Sequence, residues 1–200
     1  MRVRALGQLS CCIALVVATL AGCTVDHVGA ATPQATTPAQ TSTSTASSLS
    51  RPREVKIDSV RPCDLFSADN RQEFKIDRPV TETKDNFFQS QVCYLLSRAE
   101  GVDISINMLL DRDVDAFGPE NTTAHSRLMR VQGFPAYEGH VDKRPGRAAC
   151  GVNIGVSQGQ VLRAQATEQG RYENPLTQEE VCRRALRAAD LAMGNLLARG

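Results

Sequence analysis

The side chains best suited to chemistry in this 200-residue sequence are its seven cysteines and three histidines. A structural zinc site uses thiolates and imidazoles at short, regular spacings, of which Cys-x-x-Cys is typical. No Cys-x-x-Cys pair occurs here, and His27, His125 and His140 lie far from such spacing. The sequence therefore predicts neither a metal site nor a cofactor.

Three aspartates at alternate positions, Asp111, Asp113 and Asp115, match the first half of a calcium-binding EF-hand loop. That loop would also need a glycine directly after the third aspartate and a glutamate at its twelfth position. The chain has Ala116 and Thr122 there. We therefore interpret the three carboxylates as a solvated acidic strand end.

Hydrolytic catalysis is a further possibility, because His125, Ser126 and several aspartates are the residue types of a hydrolase triad. No nucleophile-elbow motif accompanies the serine, so the sequence predicts no catalytic residue. A basic segment follows Tyr137 and could meet an anionic envelope polymer or a lipid headgroup, although we favour an exposed polar loop. Its members are His140, Lys143, Arg144 and Arg147.

The N-terminal residues have the composition of an export signal. Arg2 and Arg4 precede an apolar run from Leu9 to Leu20. That run has about twelve residues, whereas a membrane-spanning helix needs roughly 20. The next residues, Leu20-Ala21-Gly22-Cys23, resemble the lipobox of bacterial lipoproteins, in which the cysteine sulfur takes a diacylglyceryl group. We predict a signal peptide over residues 1–22 and a lipid attached to Cys23; the alternative is an ordinary secretory signal cut nearby, for example after Ala30.

Removal of the signal peptide accounts for the odd cysteine count. Cys11 and Cys12 leave with the signal and Cys23 carries lipid, so four cysteines remain in an oxidising compartment, where two disulfides are expected. Three pairings are possible. We favour the one in which each bridge closes a loop of about thirty residues and ties a helix to a strand. It joins Cys63 to Cys93 and Cys150 to Cys182.

Composition divides the remaining chain in two and excludes one class of partner. Residues 23–52 are rich in Ser, Thr and Pro and predict a flexible tether, with a reach of about 30 Å. Residues 53–200 contain all nine aromatic side chains and predict a single folded domain. The net charge is +1, and loss of the two signal-peptide arginines lowers it to −1. A nearly neutral protein is not expected to bind nucleic acid.

Hydrophobic periodicity predicts the elements of this domain. Apolar residues alternate from Val102 to Leu110, which indicates a half-buried strand that pairs with a strand at 87–97. A second hairpin is predicted over 149–157 and 161–167, and a polar connection over 112–126 with a short strand at 128–132 links the two. Helices are predicted at 62–74 and, with Thr177 as N-cap, from 178 to about 199.

Two hairpins between terminal helices predict an α+β fold, in which an antiparallel sheet packs against N-terminal and C-terminal helices. The whole resembles the actinobacterial lipoproteins of domain-of-unknown-function family 3558 over residues 59–197. The resemblance rests on Arg61-Pro62-Cys63-Asp64-Leu65-Phe66-Ser67, a strand cysteine, residues 133–136, Cys150-Gly151-Val152 and a terminal helix with Cys182, Ala185 and Leu196. It implies a cell-envelope location and supplies no catalytic residues.

We expect a protein held at the cell membrane through the lipid on Cys23, facing the extracytoplasmic side. Three functional classes remain open. The first, which we favour, is a non-catalytic binding or scaffolding module for an unidentified envelope protein, polymer or lipid. The second is a carrier or sensor that holds an apolar ligand in a cleft between sheet and helix, and the third is an envelope hydrolase.

Overall fold

A computed structural model describes residues 49–142, 146–170 and 173–200. The predicted signal peptide, Cys23 and nearly all of the predicted tether lie outside these residues, and so do Lys143 and Arg144 of the basic segment. The boundaries proposed at residues 22 and 52 therefore stay predictions. Within the described ranges, no helix has the length and apolar character that crossing a membrane requires.

The domain is built on one antiparallel sheet with the strand order β1-β2-β3-β7-β6-β5-β4. Its seven strands are Thr81–Lys84 (β1), Gln91–Leu95 (β2), Val102–Leu109 (β3), His125–Val131 (β4), Phe134–His140 (β5), Ala149–Ser157 (β6) and Gln160–Glu168 (β7). The helices are Ala68–Glu73 (α1) and Gln178–Leu197 (α2), with 3-10 turns at Pro62–Leu65 and Val114–Phe117. The predicted α+β class is confirmed.

Helix α2 covers one face of the sheet. Its first turn has the predicted capping box, in which the amide of Glu180 donates to the Thr177 hydroxyl while the Glu180 carboxylate accepts from the Thr177 amide. The buried stripe of α2 is rich in small side chains, which allow the helix to lie close to the strands. Its members are Val181, Cys182, Ala185, Ala188, Ala189, Ala192, Met193 and Leu196.

Both disulfides have the predicted pairing. Cys63–Cys93 joins the first 3-10 turn to β2, and Cys150–Cys182 joins β6 to α2, each with a Cα–Cα distance of 4.9 Å. Cys93 and Cys150 belong to the hydrophobic core between the sheet and its helices. The bridges therefore link the helical layer to both halves of the sheet.

The sheet is larger than the two predicted hairpins and the short predicted strand at 128–132, because β1 and β5 were missed and β4 begins earlier, at His125. Strand β1 lies at the edge and is largely exposed, so its four residues lack the apolar alternation on which the prediction depended. Pro135 belongs to β5 but lies beyond the β5–β6 ladder, whose pairs run from Ala136 to Gly139. Its missing amide hydrogen therefore costs no bond to β6.

The predicted strand at 87–97 was wrong at its N-terminal end, since β2 begins only at Gln91. Phe87 and Phe88 belong to a turn instead, and both of their amides donate to Oδ1 of Asp85, at 2.6 and 3.2 Å. This turn brings aromatic side chains over the face of the sheet that α2 does not cover.

Candidate functional site

The face of the sheet opposite α2 holds a cavity of about 530 Å³. Side-chain alternation along the central strands produces it: Cys150, Val152 and Ile154 of β6 pack into the core, so Gly151 and Asn153 lie on the opposite face. The cleft therefore lies on the other side of the sheet from the sheet–helix interface. Its walls include Phe87, Phe88, Phe117, Asn121 and His140, and its floor includes Gly151, Asn153, Arg163 and Gln165.

Arg163, in the middle of β7, lies at the centre of this floor. Its Nη1 donates to Oδ1 of Asn153 and its Nη2 donates to Oε1 of Gln165, both at 2.5 Å. Its Nε is buried and has no hydrogen-bond partner among the described residues. The residue as a whole keeps partial exposure at the cavity.

The neighbours of Arg163 hold its guanidinium in place. Asn153 is buried, and its Nδ2 donates to the carbonyl of Tyr137, which turns its oxygen towards Arg163. Gln165 is oriented in the same way, because its Nε2 donates to the hydroxyl of Thr167. Gly151 lies beneath the guanidinium, where any Cβ would come within 2.5 Å of both Nη atoms. The guanidinium thus lies in a cradle over Gly151, and a larger residue at this position would require it to move.

The charge of Arg163 is not balanced by an ion pair with any residue that the structure describes. Burial lowers the pKa of its guanidinium to about 10, while the nearby carboxylate of Asp85 acts in the opposite direction. The group therefore stays protonated at neutral pH. Because folding lowers this pKa, the charged form of Arg163 bears a desolvation cost that its contacts do not fully offset.

Asp85 holds the aromatic wall of the cavity in position through hydrogen bonds. Its Oδ1 accepts from the amides of the Phe87–Phe88 turn, and its Oδ2 accepts from Nδ2 of buried Asn107 at 3.1 Å. The turn places the Phe88 ring 5.0 Å from the Arg163 guanidinium, and Arg112 lies 5.5 Å from the same ring. Such cation–π contacts favour a charged, stacked arginine.

Phe87 extends the wall into solvent. Its ring packs edge-to-face on Phe88 with centroids 4.7 Å apart, yet the residue is 84% exposed. A large aromatic side chain with so little cover at a cavity is a typical contact surface for a ligand.

The histidines form a second cluster, which spacing along the chain did not predict. His125 at the start of β4 and His140 at the end of β5 are directly paired across the hairpin. Their rings stack with centroids 5.0 Å apart, and Nε2 of His125 lies 3.3 Å from Oδ2 of Asp142. Spacing along the chain gives no sign of this proximity, because strand pairing brings together residues that are distant in sequence.

The three aspartates that resemble a calcium loop have separate contacts. Asp111 forms an ion pair with Arg112, whose hydrogen bonds lower the pKa of that carboxyl. Asp113 caps the second 3-10 turn by accepting from the Val114 amide, and it also forms an ion pair with Arg51. Asp111, Asp113 and Asp115 are not among the groups of described residues whose ligand atoms could share a metal ion.

His125 and Ser126 do not form a catalytic pair. The Ser126 hydroxyl donates to the carbonyl of Phe117 at 2.6 Å, whereas His125 contacts Asp142 and His140. Adjacent residues of a strand project to opposite faces, which separates the two side chains.

Arg163 was not among the residues predicted from the sequence, although the pattern of β6 and β7 indicates its position on the open face of the sheet. One face of β6 is apolar, as Cys150, Val152 and Ile154 indicate. The intervening Gly151 and Asn153 show that its other face carries no large apolar side chain. A charged residue in the middle of the partner strand then marks the same face. What the sequence does not show is that Phe88 covers it.

The fold is an α+β domain with a cavity on the face of its sheet that α2 leaves uncovered. The chain belongs to the family described as Protein of unknown function (DUF3558), whose model matches residues 18–195. No curated protein and no solved structure matches the chain.

Proposed function

We propose that this protein is a lipid-anchored lipoprotein of an actinobacterial cell envelope, and that its domain is a non-catalytic binding module. The cavity over the open face of the sheet is its ligand site, which makes a carrier or sensor role the natural form of such a module. The ligand class we propose is a small amphipathic anion. The observation that carries this proposal is Arg163, a cation without an ion-pair partner among the described residues, on the floor of an aromatic-walled cavity.

The size and lining of the cavity support a small-molecule ligand. A volume of about 530 Å³ lies within the range of roughly 300–1,000 Å³ that is usual for ligand sites. Phe87, Phe88 and Phe117 offer apolar ring surface to one part of a ligand. Arg163 offers planar N–H donors suited to a carboxylate, sulfonate or phosphate.

The energetics of Arg163 support an anionic group in that ligand. Enclosing a charge without an ion-pair partner costs free energy, as the lowered pKa of the guanidinium indicates. An anion bound beside it would offset that cost, and the attraction is stronger in an enclosed site than in bulk water. A neutral ligand would leave the cost in place.

A matched pair of fluorescent probes tests the ligand class. Anilinonaphthalene sulfonate carries the same aromatic rings as neutral N-phenyl-1-naphthylamine, plus an anionic group. The full chain should bind both, and Arg163→Gln should weaken the sulfonate by roughly 10- to 100-fold, the effect of losing a hydrogen bond to a charged group. The neutral probe should change by less than about twofold, because the ring contacts remain.

Ala124→Phe provides the matched control, since Ala124 lines the same cavity but carries no charge. This substitution narrows the cavity and should weaken both probes. Near-ultraviolet circular dichroism verifies that each variant retains native packing. Equal affinity of Arg163→Gln and the unmodified chain for the sulfonate would contradict the proposal, and so would failure of the unmodified chain to bind either probe.

The membrane anchor rests on the sequence Leu20-Ala21-Gly22-Cys23 behind a short apolar segment. Cys23→Ala should abolish metabolic labelling with palmitate and should move the protein out of the membrane fraction. Persistence of both label and membrane association in this variant would show that the lipid is not on Cys23. The outcome is independent of the probe experiment, because the anchor and the cavity use different residues.

A further inference from the structure

We propose that His125, His140 and Asp142 hold a zinc ion at the edge of the sheet formed by β4 and β5. This site goes beyond the ligand cavity and does not depend on it. Each of the three residues offers one ligand atom, and these atoms all lie within 4.8 Å of one another.

Strand pairing supplies the geometry. His125 and His140 face each other in register, so the hairpin holds the two imidazoles side by side. Asp142 follows two residues after His140 and already places Oδ2 3.3 Å from Nε2 of His125. Ligand atoms around a tetrahedral zinc ion at about 2.0–2.1 Å are themselves roughly 3.3 Å apart, so this pair has the separation that the ion requires.

The remaining adjustment falls on side chains that are free to make it. The ligand atoms spread over at most 4.8 Å, and closing them around an ion takes a movement of about 1 Å. The side chain of His125 is 63% exposed and that of Asp142 is 89% exposed, so rotation of either meets little packing resistance.

The donor set matches zinc chemistry. Two imidazole nitrogens and one carboxylate oxygen form a three-residue set of the kind found in zinc sites that keep one position for water. Exposure of the cluster leaves that fourth position open to solvent. Without an ion, an exposed His–Asp contact contributes little to stability, so stability alone does not explain the cluster.

The nearby disulfide is not part of the site. Sγ atoms of Cys150 and Cys182 also come within 4.8 Å of His140, but both sulfurs are bonded to each other. Zinc binds the thiolate form, so these cysteines do not compete while they are oxidised. The experiment therefore requires non-reducing conditions.

The test measures zinc binding by calorimetry on the full chain without an affinity tag. Thiols outside the two disulfides would bind zinc as well, and they are removed by serine substitutions at Cys11, Cys12 and Cys23. A second titration with cobalt reports geometry, because tetrahedral cobalt absorbs strongly in the visible range. We expect one equivalent of zinc and a tetrahedral cobalt spectrum.

Three substitutions remove one ligand each, and one matched control removes a histidine elsewhere. They are His125→Gln, His140→Gln and Asp142→Asn, with His27→Gln as the control. Each histidine variant should lose zinc affinity by more than about tenfold, since outer-shell changes alone cost 10- to 100-fold. Zinc should raise the melting temperature of the His27→Gln chain and leave that of the His125→Gln chain unchanged.

Melting temperatures without metal show whether each variant still folds, which separates loss of a ligand from loss of structure. The proposal is overturned if His125→Gln and His140→Gln bind zinc as tightly as His27→Gln does. It is equally overturned if the unsubstituted histidine set binds no zinc in the micromolar range. Retention of the zinc equivalent by Arg163→Gln is expected, because Arg163 is not one of the three proposed zinc ligands.

Discussion

Replacement of Gly151 by alanine tests whether the floor of the cavity holds Arg163 as described. The new Cβ would lie 2.5 Å from both Nη atoms and 2.6 Å from Cζ of Arg163. Ordinary contact begins near 3.4 Å, so the guanidinium must move by about 1 Å. That movement stretches its hydrogen bonds to Asn153 and Gln165, which are 2.5 Å long.

Two opposing effects determine whether the substitution stabilises or destabilises the fold. A hydrogen bond to a charged group contributes about 1.5–3 kcal/mol, and at least one of the two is lost in Gly151→Ala. Alanine also restricts the unfolded chain, which stabilises the fold by about 0.4–1 kcal/mol. Because the lost hydrogen bond outweighs the gain from restricting the unfolded chain, we expect the free energy of unfolding to fall by about 1–2 kcal/mol.

Urea denaturation of four proteins isolates the contact between these two residues. They are the unmodified chain, Gly151→Ala, Arg163→Gln and the double variant. In the Arg163→Gln background the methyl group displaces no guanidinium, so Gly151→Ala should be neutral or slightly stabilising. The two substitutions should therefore be non-additive by about 1.5–3 kcal/mol, which is the contribution of the lost hydrogen bond, as expected for residues in contact. An equal cost of Gly151→Ala in both backgrounds would refute the description of the cradle.

Two further predictions concern stability. Hydrogen bonds from Lys75 and Arg184 lower the pKa of Glu100 to about 2. The ionised Glu100 carboxylate therefore stabilises the fold above the unfolded pKa near 4.5, and this stabilisation is lost as pH falls towards 2. The shift in pKa sets an upper limit of about 3 kcal/mol on this contribution to the free energy of unfolding, and the exposure of Lys75 reduces it. In urea titrations, the free energy of unfolding of Glu100→Gln should fall less steeply between pH 5 and pH 2 than that of the unmodified chain. Parallel pH dependences of the two proteins would argue against this role of Glu100. Replacement of both Cys150 and Cys182 by serine removes a bridge between residues 32 positions apart. The free energy of unfolding should fall by about 3–4 kcal/mol, and a decrease of less than about 1 kcal/mol would contradict this prediction.

Helices and strands with one face packed into the core were predictable from the sequence, because that packing gives them a regular hydrophobic pattern. Helix α2 was predicted because its apolar stripe and its Thr177–Glu180 capping box are both local signals. Strand β3 and the β6–β7 hairpin followed from alternation, because one face of each strand packs into the core. Of the three possible disulfide pairings, the favoured one, in which each bridge closes a loop of about thirty residues and ties a helix to a strand, is confirmed.

Elements whose stability depends on distant partners were not predictable in this way. Strand β1 carries few buried side chains and is held in the sheet by its pairing with β2. The Phe87–Phe88 turn has aromatic residues typical of a strand. Both of its amides donate to the Asp85 carboxylate instead of to a neighbouring strand, so the segment forms a turn. Local propensity was overruled in each case by a contact that composition does not reveal.

The sequence by itself determined the α+β class, the terminal helix and the cysteine pairing, because those depend on periodicity and on cysteine placement over short stretches of chain. Only the tertiary structure decided the two candidate sites. Strand register places His125 beside His140, and a turn held by Asp85 places Phe88 over Arg163. Both depend on pairing between segments far apart in the chain, so no local pattern records them.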